Sequence, residues 1–505
     1  MHFPKLKSMR IVFTGCCLGA GIFAQHRGDA LEFQGLSDPN ENSAKALAMG
    51  GAYSASSGEL NSLFYNPAGL ANITRFQIAI SGSTTQNTWR ENQAYRPNRL
   101  YMTMPFYLEG LYIPDPANNG QWDVDLFNRD RDSTYVFTQP QLGKDPFGKE
   151  AADWNRSKND FDFNHLSAAI PLKLMGKSFV LSGSFARRFT VRDFDRNDTY
   201  LDPHIGYDDY GIAMRTANDT LRMNWFRYQR ERNGQINSCS VALGFTLLPS
   251  ILVGFGFQSD VGKTEDHLAL DKVGWFDMTK NNRFRFSYDT LQSNESGTSR
   301  FSSSRFNLGM VFSFSQFSFG FNVTAPHAWT RKWETTYSST GGRLQPIPPE
   351  KAPISSEDKM EIPLGYTIGI KLNPAKRFSL AMDVENIPYS KAKFRWGDSN
   401  VASQRTWVDR QSVRFGAEYR PAGWISILAG YRTLPETFVP DGAALKDRGP
   451  SATSFTFGFS LNVPYGALDA AYEIRQLKYY DSYYSNTNYV FVSVHKLLAG
   501  YTVQF

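Results

Sequence analysis

The chain of 505 residues lacks most of the features that would give it a familiar anchor or chemistry. It has three cysteines, Cys16, Cys17 and Cys239, and the first two fall in a leader that is removed on export, so the mature chain cannot form an intramolecular disulfide. After Phe23 there is no run of about 18 apolar residues, so no transmembrane helix is encoded. The net charge is only +6, with Lys and Arg scattered, and a nucleic-acid reader would need a clustered basic face. The 7 histidines are dispersed without zinc spacing. There is no GxSxG elbow, no P-loop and no GxGxxG after a strand. No catalytic residue, cofactor or metal is therefore assigned, and a non-enzyme is expected. Two acidic stretches, Asp193-Asp195-Asn197-Asp198 and Asp123-Asp125 with Asp130 and Asp132, superficially resemble calcium loops. Both lack the glycine and closing glutamate such a loop uses, and they read as solvated acidic loops.

Aromatic residues, by contrast, are abundant at 15%, with 39 Phe and 25 Tyr beside 40 Gly, yet the mean hydropathy is negative. That combination suits alternating apolar and polar positions better than a uniformly apolar core. At the N-terminus Lys5, Lys7 and Arg10 precede an apolar run ending near Ala24, the pattern of a secretory signal peptide over residues 1–24. A lipoprotein signal, with Cys16 lipidated, is the second reading of the same run.

From about Arg75 onward the apolar residues recur at every second position, which is strand spacing. Phe306, Leu308, Met310, Phe312 and Phe314 alternate with small or polar residues, as do Phe317, Phe319, Phe321 and Val323, and Phe455, Phe457, Phe459, Leu461 and Val463. A soluble sandwich could show the same alternation. The connections separate the two. Tight turns fall at 174–177, 247–250, 314–316, 373–376, 420–423 and 463–466, between long polar stretches at 87–160, 193–236, 262–302, 331–361, 391–409, 435–451 and 478–488. Short turns at one end and long loops at the other are the asymmetry of an outer-membrane barrel, and pairing the strands gives about fourteen, an even number. The C-terminal Ala499, Tyr501, Val503, Phe505 face suits the closing strand that the barrel-assembly machinery reads, and Tyr479, Tyr480, Tyr483 and Tyr484 suit an interfacial aromatic girdle. The sequence thus predicts an all-β, transmembrane antiparallel β-barrel over residues 73–505, in the outer membrane of a Gram-negative bacterium, surrounded by outer-membrane lipid and monomeric.

A barrel of this size leaves a lumen, and residues 25–72 are the natural filler. Within them Gly50-Gly51-Ala52-Tyr53 is followed by Asn66-Pro67-Ala68-Gly69. At this spacing, ahead of a barrel, the pair resembles the N-terminal hatch of the FadL-type hydrophobic-compound transporters, in a form similar to that of Bacteroidetes-type bacteria. The resemblance implies a hatch and passive uptake of apolar molecules such as long-chain fatty acids. It also implies a lateral exit where the third strand kinks inward, for which Gly183 is the candidate. A protein-handling barrel of the PorV kind, serving type IX secretion, resembles the same family and is the rival reading.

Charges on the lumen face of the later strands, Lys371, Asp383, Glu385, Arg414, Glu418, Arg432, Asp469, Glu473 and Arg475, cannot face lipid. They are read as mutually paired anchors for the hatch, with Arg414 or Arg432 meeting a ligand carboxylate as the alternative. Tyr101, Met102, Met104, Phe106 and Tyr107 make the first loop too apolar for a free surface and suit a lid or collecting groove, or a packed strand extension.

Overall fold

The computed structural model describes residues 33–95, 145–174, 177–204, 207–208, 212–213, 221–278, 284–341, 351–397, 407–440, 443, 445–483 and 486–505. The proposed signal peptide and the apolar stretch Tyr101, Met102, Met104, Phe106 and Tyr107 lie outside the described residues, as do Asp123 to Asp132 and Tyr484.

One closed antiparallel sheet forms the molecule's wall. Its strands are β1 (Gln77–Tyr95), β2 (Trp154–Leu174), β3 (Lys177–His204), β4 (Leu221–Leu248), β5 (Ile251–Met278) and β6 (Phe284–Ser313). Three strands then follow in two pieces each: β7 (Phe317–Thr324 and His327–Gly341), β8 (Lys351–Ile362 and Gly365–Ala375) and β9 (Phe378–Ile387 and Lys393–Arg395). Completing the wall are β10 (Arg410–Ala422), β11 (Ile425–Pro435), β12 (Ser451–Val463), β13 (Gly466–Tyr483) and β14 (Asn486–Gln504). β1 pairs with β14 from Gln77 to Tyr95 and with β2 on its other side, which closes a barrel of 14 strands. Closure leaves no sheet edge in hydrocarbon, where unsatisfied backbone groups cost several kcal/mol each.

The alternating residues sort as a membrane barrel requires. Phe255, Phe306, Leu308, Phe319, Phe455 and Phe457 point outward and are exposed, while Ser318, Asn322, Ser454 and Thr456 are buried in the lumen. An apolar girdle of this extent would be a liability on a soluble monomer. The tight turns connect these strands at one end, as the sequence indicated.

Among the described residues, the stretches read as loops at 193–236, 262–302, 331–361 and 478–488 are largely wall. β3 to β6 run 28, 28, 28 and 30 residues, where about 9–11 cross the hydrocarbon. Above the bilayer the outer face meets water, so the outward positions lose their apolar signal while the backbone ladder continues. Asp193 and Asp195 accordingly sit in β3, not in a cation-binding loop, and pair with Arg230 of β4.

Gly183 is not a kink. The ladder runs through it on both sides, to Ala168 and to Val241, without a register shift. β3 instead shifts register between Arg187 and Phe189, and above His165 and Ala186 it has no backbone ladder with β2. Side chains bridge that seam: Arg187 to Asp162 at 2.9 Å, and Arg192 to Asp160 at 2.7 Å.

Candidate functional site

Residues 33–72 form an inner segment packed on buried side chains of the wall, and their local structure follows from small residues and caps. Ser43 accepts a hydrogen bond from the Ala46 amide and starts the short helix α1 (Ala44–Ala48). Ala46, Leu47 and Ala48 are fully buried, α1 packing among Ala381, Leu428, Ala471 and Leu498 of the wall. Gly50 and Gly51 end it with φ of 66° and 81°, left-handed values that a side chain would strain. Space matters as much as conformation here. A Cβ on Gly430 of β11 would overlap the Gly50 amide, and one on Gly309 of β6 would overlap the Asn66 side chain. Glycine in these strands is what lets the inner segment touch the wall backbone.

Asn66 holds the second contact. Its side chain accepts from the Ala68 amide, capping a turn (Pro67–Asn72) with Pro67 in the first position. The Asn66 side-chain Nδ2 donates to Ser54 O at 2.8 Å and to Met310 O of β6 at 3.1 Å. Asn66 is 0% exposed, so each bond is made away from water. Asp383 of β9 supplies the third. One of its carboxylate oxygens accepts from the amides of Tyr53 and Ser54, both at 2.9 Å, and from the Ser54 hydroxyl at 2.7 Å. Ala68 and Ala71 pack on Leu252 and Val311, which fixes the turn against β5 and β6.

The charges divide into two groups. Arg432 reaches the inner segment directly, donating to Glu41 and, at 2.6 Å, to Glu473, which also accepts from Ser454 at 2.7 Å. Arg475 and Arg410 both meet Asp38 of the inner segment. Burial alone would raise the Asp38 carboxyl, but Arg475, Arg410 and Arg432 around it hold it well below the usual range. Lys45 pairs with Glu59 at 2.6 Å within the segment, and although burial works against the charge, Lys45 keeps the Glu59 carboxyl below its usual range. Other predicted residues turn to wall partners: Arg414 meets Glu385 at 2.7 Å, and Glu418 meets Arg420 at 2.9 Å and Ser426 at 2.8 Å. Asp383 and Arg432 therefore hold the inner segment that carries Tyr53 and Asn66, and Glu473 meets it through Arg432, whereas Glu418 makes its hydrogen bonds within the wall and Gly183 lies in the β3 ladder.

The sequence reading passed over Asp38 and Glu41, the acids that meet the lumen arginines. The available signal was their place beside Pro39 and Asn40, inside the stretch that had to fill a lumen lined with cations. Above the segment opens a cavity of about 440 Å³. Leu434, Leu477, Val492 and Phe438 give it an apolar wall, and Asp38, Arg410, Arg432 and Arg475 a charged floor. Arg410 is buried there with Nε and Nη1 unpartnered.

No protein-family model matches the chain, and no curated protein matches it. Solved structures do. A Pseudomonas aeruginosa FadL homologue superposes with a TM-score of 0.56 at 13% identity, covering 95% of this chain and 99% of that one. The Pseudomonas putida toluene transporter TodX gives 0.51 at 12% identity over 93% and 100% of the two chains. A TodX variant described as a monoaromatic hydrocarbon channel gives 0.50 at 11% identity, over 92% and 98%. At these identities the likeness establishes a shared fold.

Proposed function

From a chain that has the fold of FadL-type outer-membrane barrels, we infer passive passage of hydrophobic compounds across the outer membrane of a Gram-negative bacterium. The observation that carries this reading is the lumen itself. An amphiphile-sized cavity with one apolar wall sits directly above an inner segment held at a few discrete polar contacts, chiefly Asn66, Asp383 and Arg432. A segment fixed in this way acts as a hatch: it blocks ions while the contacts hold, and a small shift opens a path beside it. Entry into the cavity removes apolar surface from water at about 25 cal/mol per Å², and sideways release into hydrocarbon keeps that gain.

The ligand class extends to long-chain fatty acids. Arg432 and Arg414 hold their carboxylate partners at 2.6 and 2.7 Å, whereas Arg410, which borders the cavity, meets Asp38 at 3.3 Å and shares it with Arg475; Arg410 is therefore the cation we propose for a ligand carboxylate that takes the place of Asp38. Mass spectrometry of organic extracts from the purified barrel tests the reading. Apolar or amphiphilic molecules enriched over a control barrel purified alike support it; none enriched, with a secreted protein co-purifying instead, would replace it with a protein-handling role.

A further inference from the structure

The outer face of three neighbouring strands carries cations in one row. Lys263 of β5 stands directly opposite Arg300 of β6, and Arg300 stands directly opposite Lys332 of β7. All three are exposed on the outside of the wall, and their neighbours Thr264, Ser299 and Arg331 are buried on the lumen side. Adjacent strands lie about 4.8 Å apart, so the row spans about 10 Å. Like charges directly opposite each other in a sheet are destabilising, and little in the protein relieves these. Among the described residues Glu357 meets Lys332 at 3.4 Å, while neither Lys263 nor Arg300 has a carboxylate within ion-pairing distance. Glu265 and Glu334 stand one outward position higher, on either side of Thr298.

Height places the row at the outer boundary of the membrane. β5 begins at Ile251, twelve residues before Lys263, and β6 ends at Ser313, thirteen residues after Arg300. At about 3.3 Å per residue and a tilt near 40°, the row starts roughly 30 Å above the short turns. The apolar band of such a barrel is about 25 Å tall, so these cations lie just beyond it, among the headgroups. The outward residues beneath them agree. Val261, Ser302 and Thr330 form the next row down, and Ser259 lies opposite Ser304 below that. Lower still, Phe257 and Phe306 face lipid with their ring centroids 5.0 Å apart. From the top the face runs cation, hydroxyl, aromatic, which matches the order phosphate, polar link, acyl chain in a membrane lipid.

Across the barrel the same height is finished differently. Tyr480 of β13 and Tyr489 of β14 meet at a ring separation of 6.3 Å, as interfacial aromatics do. Lys478 beside them lies over the rings of Phe147 and Phe491, 5.7 Å from each. A cation there already has its partners; Lys263 and Arg300 do not.

We propose that the Lys263–Arg300–Lys332 row binds the phosphate of an outer-leaflet lipid. A phosphate monoester carries close to two negative charges at neutral pH and three acceptor oxygens, enough to serve both unpaired cations at once. The Arg300 guanidinium adds a fork that matches phosphate geometry. Ser302, Ser304 and Thr330 then face the polar link of the lipid, and the Phe257–Phe306 pair faces its chains. The site lies outside the wall, separate from the cavity, and does not depend on what passes through the lumen.

Native mass spectrometry of the full-length protein in nonionic detergent tests the site, with diphosphoryl lipid A as the probe and the same lipid stripped of its phosphates as the control. Wild type should retain the diphosphoryl form far more strongly than the stripped one. Each cation near an anionic lipid surface is worth about fivefold in binding. Lys263→Gln, Arg300→Gln and Lys332→Gln together should therefore weaken retention by about two orders of magnitude. The charge-keeping triple variant, Lys263→Arg with Arg300→Lys and Lys332→Arg, should retain the lipid, and Lys478→Gln on the far side should have no effect. Heat-modifiable gel mobility confirms that each variant is folded. Equal retention by wild type and the triple glutamine variant, equal retention of the two lipids by wild type, or the same loss in Lys478→Gln overturns the proposal.

Discussion

Replacing Asp383 by alanine should loosen the inner segment without harming the wall. Its carboxylate accepts three hydrogen bonds from the Tyr53 and Ser54 amides and the Ser54 hydroxyl, all buried. Hydrogen bonds to a charged group contribute about 1.5–3 kcal/mol each, and a buried donor left without an acceptor costs about 1–3 kcal/mol. Burying the carboxylate itself offsets part of the gain. Taking the lower end for the three orphaned donors gives a loss of about 3 kcal/mol in holding the 53–54 turn, or about two orders of magnitude in its opening equilibrium. Hydrogen exchange read by mass spectrometry on a peptide spanning residues 50–58 should show protection falling by that factor. A peptide from the lower piece of β9 should keep its protection, because its ladder to β8 and β10 involves backbone groups the substitution leaves in place. The 50–58 peptide exchanging at the wild-type rate would refute the reasoning, since the three contacts would then contribute nothing.

Arg432→Met should destabilise docking of the segment by about 3–5 kcal/mol, because Glu41 and Glu473 would stay buried without their cation; increased tryptic cleavage within residues 33–72 of the folded barrel measures it. Gly309→Ala places a methyl group on the Asn66 side chain and should raise single-channel conductance in planar bilayers, whereas Gly183→Ala, whose Cβ meets only Ser240 O at 3.8 Å, should not. The Asp38 carboxyl is held below its ordinary value of 3.8, so its stabilising contribution is complete above that value and is lost as pH falls through the lowered one. Closed-state conductance should therefore be flat from about pH 5 to 8, rising only under stronger acid; a rise already at mildly acid pH would show that Asp38 does not hold the segment.

The wall was legible because one physical rule governs it within the bilayer: Phe306, Leu308 and Phe319 must meet lipid and their neighbours must not. The rule stops applying above the membrane, and so the upper halves of β3 to β6, with Asp193 and Asp195 among them, read as loops. Gly50, Asn66 and Asp383 could be picked out by type and spacing, but the partners that join inner segment and wall are 244 to 406 residues apart in the chain and the pairing itself is not written locally. Gly183 was chosen because a lone strand glycine can mark a bend. β3 shifts register at Arg187–Phe189 instead, a feature that needs no particular residue type, and beyond it Phe189 and Val191 are buried in the lumen.

The central claim is that apolar molecules cross the outer membrane through this barrel, and the most direct measurement compares initial uptake of radiolabelled toluene and of a long-chain fatty acid. The cells would lack the protein, carry the wild type, or carry an Arg410→Gln variant. Wild-type cells should take up both compounds faster than cells without the protein, and the Arg410→Gln cells should lose the advantage for the fatty acid while keeping it for toluene. Equal uptake of both compounds with and without the barrel would contradict the account.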